Sequence, residues 1–148
     1  MSKFLRPFFV LFILLGAVAC DKVPMNGRLD GMWQILSVET PQGVRDVKSE
    51  RAYMSIQLHL TQWDYANQRY YAHFSHEGDS SCFYDFAGLS AHATVADDDP
   101  AITAEEMSGG LFHVYGIHTL DARFRIVHLS GSSLILQAAD TTLTFRKF

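Results

Sequence analysis

The stretch "MSIQLHLTQWDYANQRYYAHFSH", residues 54–76, decides the fold class. Met54, Ile56, Leu58 and Leu60 fall on alternate positions with Ser55, Gln57, His59 and Thr61 between them, the period of a strand with one buried and one wet face. "DYANQ" interrupts the pattern with Asp and Asn, which favour turns, and "RYYAHFSH" then alternates again. Two alternating runs on either side of a short turn predict an antiparallel hairpin.

Outward from it the style repeats. "SCFYDFAGL", "LFHVYGIHT", "ARFRIVHLS", "SSLILQA" and "TTLTFRKF" read as strands, separated by "HEGDS", "DDDPAITAEEMSGG", "TLDA", "SGS" and "AAD", all rich in turn formers. Only "PAITAEEM" carries a helix start, with Thr103 as cap and Glu105 and Glu106 in a first turn. The closing run "RFRIVHLSGSSLILQAADTTLTFRKF" gives three strands joined by Ser130-Gly131-Ser132 and Ala139-Asp140, links so short that neighbours must be antiparallel. The expected fold is therefore all-β, an antiparallel up-and-down barrel of about eight strands, closed because closure removes exposed sheet edges.

The amino-terminal end carries an address. Lys3 and Arg6 precede an uncharged apolar run, residues 7–19, that ends in the small residues Gly16, Ala17 and Ala19, the grammar of an export signal. As a helix the run would reach only about 20 Å, against a hydrocarbon core about 30 Å thick, so it makes a poor permanent span. Ala17-Val18-Ala19 satisfies the ordinary small-x-small cleavage rule, and with Cys20 it resembles the bacterial lipobox. That resemblance implies a signal peptide over residues 1–19 and anchorage to a membrane of the bacterial cell envelope through lipid on Cys20; residues 20–26, polar with Pro24 and no periodic pattern, read as a lipidated tether, and residues 27–148 as the barrel domain. More than one acyl chain gives stable residence in a leaflet. The alternative for Cys20 is a disulfide with Cys82, ordinary for a cysteine pair in an exported chain. The two exclude each other, because acylation leaves Cys82 single, a small apolar residue within "SSCFYDF".

Removing residues 1–19 leaves 129 residues with 10 basic and 16 acidic side chains, a formal balance of −6. That excludes nucleic acid as the main partner.

One further stretch, "NGRLDGMWQILSVE", carries a family likeness. Gly31-Met32-Trp33 at the start of the first strand resembles the Gly-x-Trp motif that opens lipocalins and their calycin relatives. In that family the Trp closes the narrow end of the barrel and a basic residue near the end of the last strand packs across it. The positions that match here are Gly31, Trp33 and, in "LTFRKF", Arg146 or its neighbour Lys147. The chain is similar to the small lipocalin-like lipoproteins of bacteria.

What the resemblance implies is non-catalytic binding of a small apolar or amphipathic ligand at the open end of a lipocalin-like barrel. Phe74, Tyr84, Phe86, Phe112 and Phe124, on alternating positions, are the candidate lining. Seven Phe, six Tyr and two Trp follow the signal segment, and in a barrel of this size such rings either line a pocket or fill it. A filled barrel points instead to a protein-binding module, an inhibitor or an accessory subunit of an envelope complex, with contacts from "DDDPAITAEEM", Tyr65, Tyr70 and Tyr71.

No catalytic residue, cofactor or metal is expected. "HLSGSSL" lacks the Gly-x-Ser-x-Gly elbow, "HEGDS" lacks the second His of a zinc helix, and Asp97, Asp98 and Asp99 lack the Gly and Glu of a calcium loop. The histidines come nearest: His59 is expected opposite His73 across the first hairpin, with His113, His118 and His128 on nearby strands.

Overall fold

A computed structural model describes residues 24–88 and 99–148, so the lipobox with Cys20 lies outside the described residues, as do His92, Asp97 and Asp98. The strands are β1 (Gly31–Thr40), β2 (Gly43–Asp46), β3 (Tyr53–Gln57), β4 (Leu60–Tyr65), β5 (Gln68–Glu77), β6 (Ser80–Gly88), β7 (Ala122–Leu129), β8 (Ser133–Ala138) and β9 (Thr141–Lys147). They form one antiparallel sheet in the order β2-β1-β3-β4-β5-β6-β7-β8-β9, and β1 also pairs with β9. Strands β1 and β3 to β9 thus close an eight-stranded up-and-down barrel, and β2 folds back on the upper half of β1 as an extra strand.

The stretch at residues 54–76 is a three-strand meander rather than one hairpin, because the expected first strand breaks at Leu58-His59. Leu58 sits at φ 56° in a two-residue turn and is 55% exposed. The apolar alternation therefore flips across the turn: Met54 and Ile56 point inward before it, Thr61 and Trp63 after it. Leu58 and Leu60, expected in the core, are not among its buried residues. The second turn is Ala66-Asn67, both at positive φ, as a two-residue hairpin loop requires. It sets Leu60, not His59, opposite His73, which corrects the expected histidine pair.

"LFHVYGIHT" is also not a strand. The β6–β7 connection instead carries the helix α1 (Ala104–Ser108), capped by Thr103 and Glu106 in a reciprocal capping box, and then a 3-10 turn at His113–Tyr115. Gly116, at φ 65°, ends that turn where a Cβ would meet Leu143 Cδ2 at 2.9 Å and Val38 Cγ1 at 3.0 Å. The apolar residues of the segment, Ile102, Met107, Phe112, Val114, Tyr115 and Ile117, are all buried in the same core as the barrel strands. An alternating run can thus serve as a plug when its apolar positions are covered by the barrel, while His113 and His118 stay exposed.

The two ends of the barrel differ. At the closed end lie the 3-10 turn Gly27–Leu29, the first residues of β1 and the turns at Leu58-His59 and Gly78-Asp79. At the mouth lie the β2 hairpin, the Ala66-Asn67 turn and the β6–β7 plug. Pro24 and Asn26, expected in the tether, already belong to the fold: Gly27 N–H donates to Pro24 O at 3.0 Å, and Asn26 is buried.

Candidate functional site: a filled barrel and its outer clefts

The closed end is built by the opening motif. Trp33 is fully buried, and its indole N–H donates to Leu29 O at 2.8 Å. Lys147 Nζ stands 4.3 Å from the centre of the Trp33 ring and donates to the carbonyls of Arg28 (3.1 Å) and Asp30. Burial lowers the Lys147 pKa, and the nearby Asp30 charge opposes that shift. Gly31 lies at φ 116°, where a Cβ would come within 2.9 Å of Lys147 Cε. The Gly of the motif is therefore what lets the lysine lie over the Trp. Of the two basic positions matched from sequence, Lys147 takes this place; Arg146 points to the outer face, where its Nε donates to Gln34 Oε1 at 2.9 Å. The strand period explains the exchange, since adjacent residues of β9 face opposite sides.

Further up, the interior is solid. The Trp63 ring meets Phe83, Phe112 and Tyr115 edge-on with centroids 5.2, 5.8 and 4.8 Å away, and Phe86 lies at 6.4 Å. Tyr115 seals the mouth: its hydroxyl donates toward Tyr53 O and Asp64 O, each at 2.8 Å. Burial is the main cause that raises its pKa far above the ordinary value, so it remains a donor. Side chains from seven of the eight barrel strands, Trp33, Met54, Trp63, Phe74, Phe83, Phe145 and Leu134 among them, keep at most 2% of their surface accessible, and on β7 Ala122 and Phe124 keep 5%. A void large enough for water would expose its lining, so none adjoins these side chains.

Of the expected lining residues, Phe74, Phe86, Phe112 and Phe124 do meet in this interior, packed against one another and their neighbours. Tyr84 does not. It is on the outer wall, stacked on His73 with centroids 5.5 Å apart. A bulge separates it from Phe86: Asp85 at φ 52° adds one residue to β6 against β5, so Phe83 and Phe86, three apart, both face inward.

Tyr84 joins an outer cleft where the upper parts of β6 and β7 separate, with Ala101 bridged to Ala87 across the gap. Here Cys82 Sγ donates to Asp121 Oδ1 at 3.2 Å, and Arg123 Nε lies 3.0 Å from the same oxygen. Burial first, then the Asp121 hydrogen bond, push the Cys82 thiol up to about 11, so it stays a thiol at neutral pH. Cys82 is unpaired within the described residues. Among the described residues no cluster of three or more His, Cys, Asp or Glu can hold a metal ion.

A second and larger cleft, of about 1120 Å³, runs along the β3–β4–β5 meander from Met32 and Phe148 to the Ala66-Asn67 turn. Tyr53, Tyr65, Tyr70, Arg51 and Arg69 line it together with Glu50 and Asp64. Its polar groups hold one another: Tyr65 donates to Glu50 Oε2 at 2.7 Å, and Arg69 Nε to Asp64 Oδ1 at 2.8 Å. Hydrogen bonding to Glu50 and, second, burial raise the Tyr65 pKa, while burial and then Glu106 raise that of Tyr70. Both phenols therefore keep their protons at neutral pH, engaged with Glu50 and Gln68, and present their rings to the cleft. The arrangement suits recognition of a polar-aromatic surface. Of the tyrosines expected as exposed contacts, Tyr65 and Tyr70 line this cleft, whereas Tyr71 is buried; Tyr53 and Arg69, which the strand register brings beside them, and Arg51, at the end of the Lys48–Glu50 turn, carried no signal in the sequence.

Fold and packing define the class of protein first: a closed, plugged, lipocalin-like barrel, an architecture associated with binding. A family model described as a lipocalin-like domain matches residues 12–148, and the chain belongs to that family. Among solved structures, a lipocalin-like protein from Bacteroides uniformis ATCC 8492 is similar, with TM-score 0.59 and 19% identity over 82% of this chain and 100% of that one. An uncharacterized protein from Bacteroides eggerthii DSM 20697 also has TM-score 0.59 and 19% identity, over 81% and 99%. A protein from Burkholderia xenovorans reaches 0.52 with 14% identity, over 80% and 82%. At these identities the likeness is one of fold. A search of the curated proteins finds no match.

Proposed function

We propose that this protein is a lipid-anchored, non-catalytic recognition module of a bacterial cell envelope, which holds a protein partner on its outer surface at the Tyr53–Tyr65–Tyr70 cleft. The observation that carries this reading is the solid interior: Trp63, Phe74, Phe86 and Phe112 occupy the space a small apolar ligand would need. A ligand inside the barrel would have to displace the plug, including both Tyr115 hydrogen bonds. Tyr and Arg are the side chains that most often anchor protein interfaces, and the cleft supplies both. Lipid attachment rests on the lipobox at Ala17-Val18-Ala19-Cys20. Among the described residues no helix is long and apolar enough to cross a membrane.

The test places a photo-reactive residue at Tyr65, at Arg69 and, on the opposite wall, at Arg125, in the living bacterium. A discrete protein adduct from Tyr65 and Arg69 but not from Arg125 is the expected result. Adducts spread equally over all three positions, or none at the cleft, would sink the reading.

A further inference from the structure

Six large apolar side chains stand exposed among the described residues, and five of them, Met25, Met32, Leu58, Val127 and Phe148, gather at the closed end. The placement follows from contacts. Met25, Met32 and Leu58 share one surface depression, Phe148 N–H donates to Met32 O at 2.9 Å, and Val127 borders a second depression with Asn26 and Leu29. Phe148 and Leu58 are 70% and 55% exposed, so this patch is not an edge of the core. The sixth, Val44, is on β2 at the mouth.

The same end is where the described chain starts, at Pro24. From Cys20 to Pro24 the backbone can span at most about 14 Å, at roughly 3.5 Å per residue. The point of departure is also fixed. The Asn26 side chain donates to Asp30 Oδ1 at 2.6 Å and to Leu58 O at 2.8 Å, its backbone N–H reaches Asp30 Oδ2 at 3.2 Å, and Lys147 holds the carbonyl of Arg28.

We infer that the closed end of the barrel is a membrane-docking face, on which Met25, Met32, Leu58, Val127 and Phe148 rest in the interfacial layer of a phospholipid bilayer. The inference builds on the proposed acylation of Cys20 and adds an orientation to it. A lipid held within so short a reach of a rigid exit brings this patch, rather than the barrel wall, to the bilayer. Apolar faces of this kind sink about 5–10 Å into the boundary between headgroups and acyl chains. The mouth then faces away from the membrane with the Ala66-Asn67 end of the tyrosine cleft, while the Met32–Phe148 end of that cleft borders the docking face. Apolar contact, not charge, drives the docking, because the mature chain carries a net negative balance.

The experiment uses the full acylated protein in phosphatidylcholine vesicles that contain a lipid with a nitroxide on its acyl chain. An environment-sensitive fluorophore is attached at Leu58→Cys, at Val127→Cys or, at the mouth, at Asp140→Cys, each in a Cys82→Ser background, with Cys20 blocked by its lipid. Quenching at Leu58 and Val127 is expected to exceed that at Asp140 severalfold, because a face sunk about 5–10 Å into the headgroup boundary lies close to the label and the mouth does not. It should also be unchanged by added salt. Protein that floats with the vesicles but shows equal quenching at the three positions, or none, overturns the docking face and leaves the anchor standing. Protein that carries no acyl group on Cys20 and does not float overturns the anchor and the docking face with it.

Discussion

At the scale of the residue, the Gly31–Trp33–Lys147 arrangement turns a short motif into a mechanical reason. Trp33 fills the narrow end, Lys147 covers it and satisfies two carbonyls, and Gly31 leaves the room that the lysine stem needs. The sequence showed the first and last of these as types of residue at an expected spacing. It left the choice between Arg146 and Lys147 open, because which face of β9 each occupies depends on a register that a single residue can reverse. Lys147→Met should lower unfolding free energy by about 2 kcal/mol, from the lost cation–ring contact and charged hydrogen bonds, whereas Arg146→Met should cost about 1 kcal/mol or less. Denaturant titration of both variants separates them; equal losses would mean that the ring contact contributes nothing.

At the scale of the element, what failed to show in the sequence failed for local and nameable reasons. The Leu58-His59 turn has none of the Gly, Asn, Asp or Pro that announce a reversal, yet Leu58 takes a left-handed backbone there. The Ala66-Asn67 turn, which carries Asn, was legible. The bulge at Asp85 moved Tyr84 to the outer wall although its spacing matched Phe86, since period-two counting breaks wherever one strand gains a residue. "LFHVYGIHT" alternates like a strand, yet its buried Phe112, Val114, Tyr115 and Ile117 pack through a 3-10 turn; Gly110 before the segment and Gly116 within it were the signal that could have corrected this.

The plug that this segment forms is locked by one hydroxyl. Tyr115→Phe keeps the ring packing and removes both hydrogen bonds to Tyr53 O and Asp64 O, so it should destabilise by about 1–3 kcal/mol. Its pH dependence follows from the raised pKa. A group that holds its proton more tightly when folded gives its full stabilisation below the ordinary tyrosine value of 10.0 and loses it as pH rises beyond. Stability of the wild type should therefore fall more steeply above pH 10 than that of Tyr115→Phe. Parallel alkaline titrations that superimpose would contradict this role for the hydroxyl.

At the scale of the whole molecule, the alternating runs and the tight closing hairpins point to a closed antiparallel barrel, although neither the Leu58-His59 turn nor the long β6–β7 connection is legible in the sequence. They could not specify whether the barrel is hollow, because aromatic side chains that line a pocket and those that fill one occupy the same alternating positions. The decision lies in three dimensions: the β6–β7 connection returns into the mouth and brings Phe112 and Tyr115 onto Trp63. The molecule has a polarity as a result, with an apolar closed end and a tyrosine-lined cleft that extends to the mouth.

With the interior solid, the proposed recognition takes place outside the barrel. Native mass spectrometry of the full protein, purified from its own bacterium without denaturant, tests this most directly. The mass should equal that of the processed chain and its acyl groups. One further equivalent of a small apolar molecule, released only when the barrel unfolds, would contradict the claim and return the ligand to the interior.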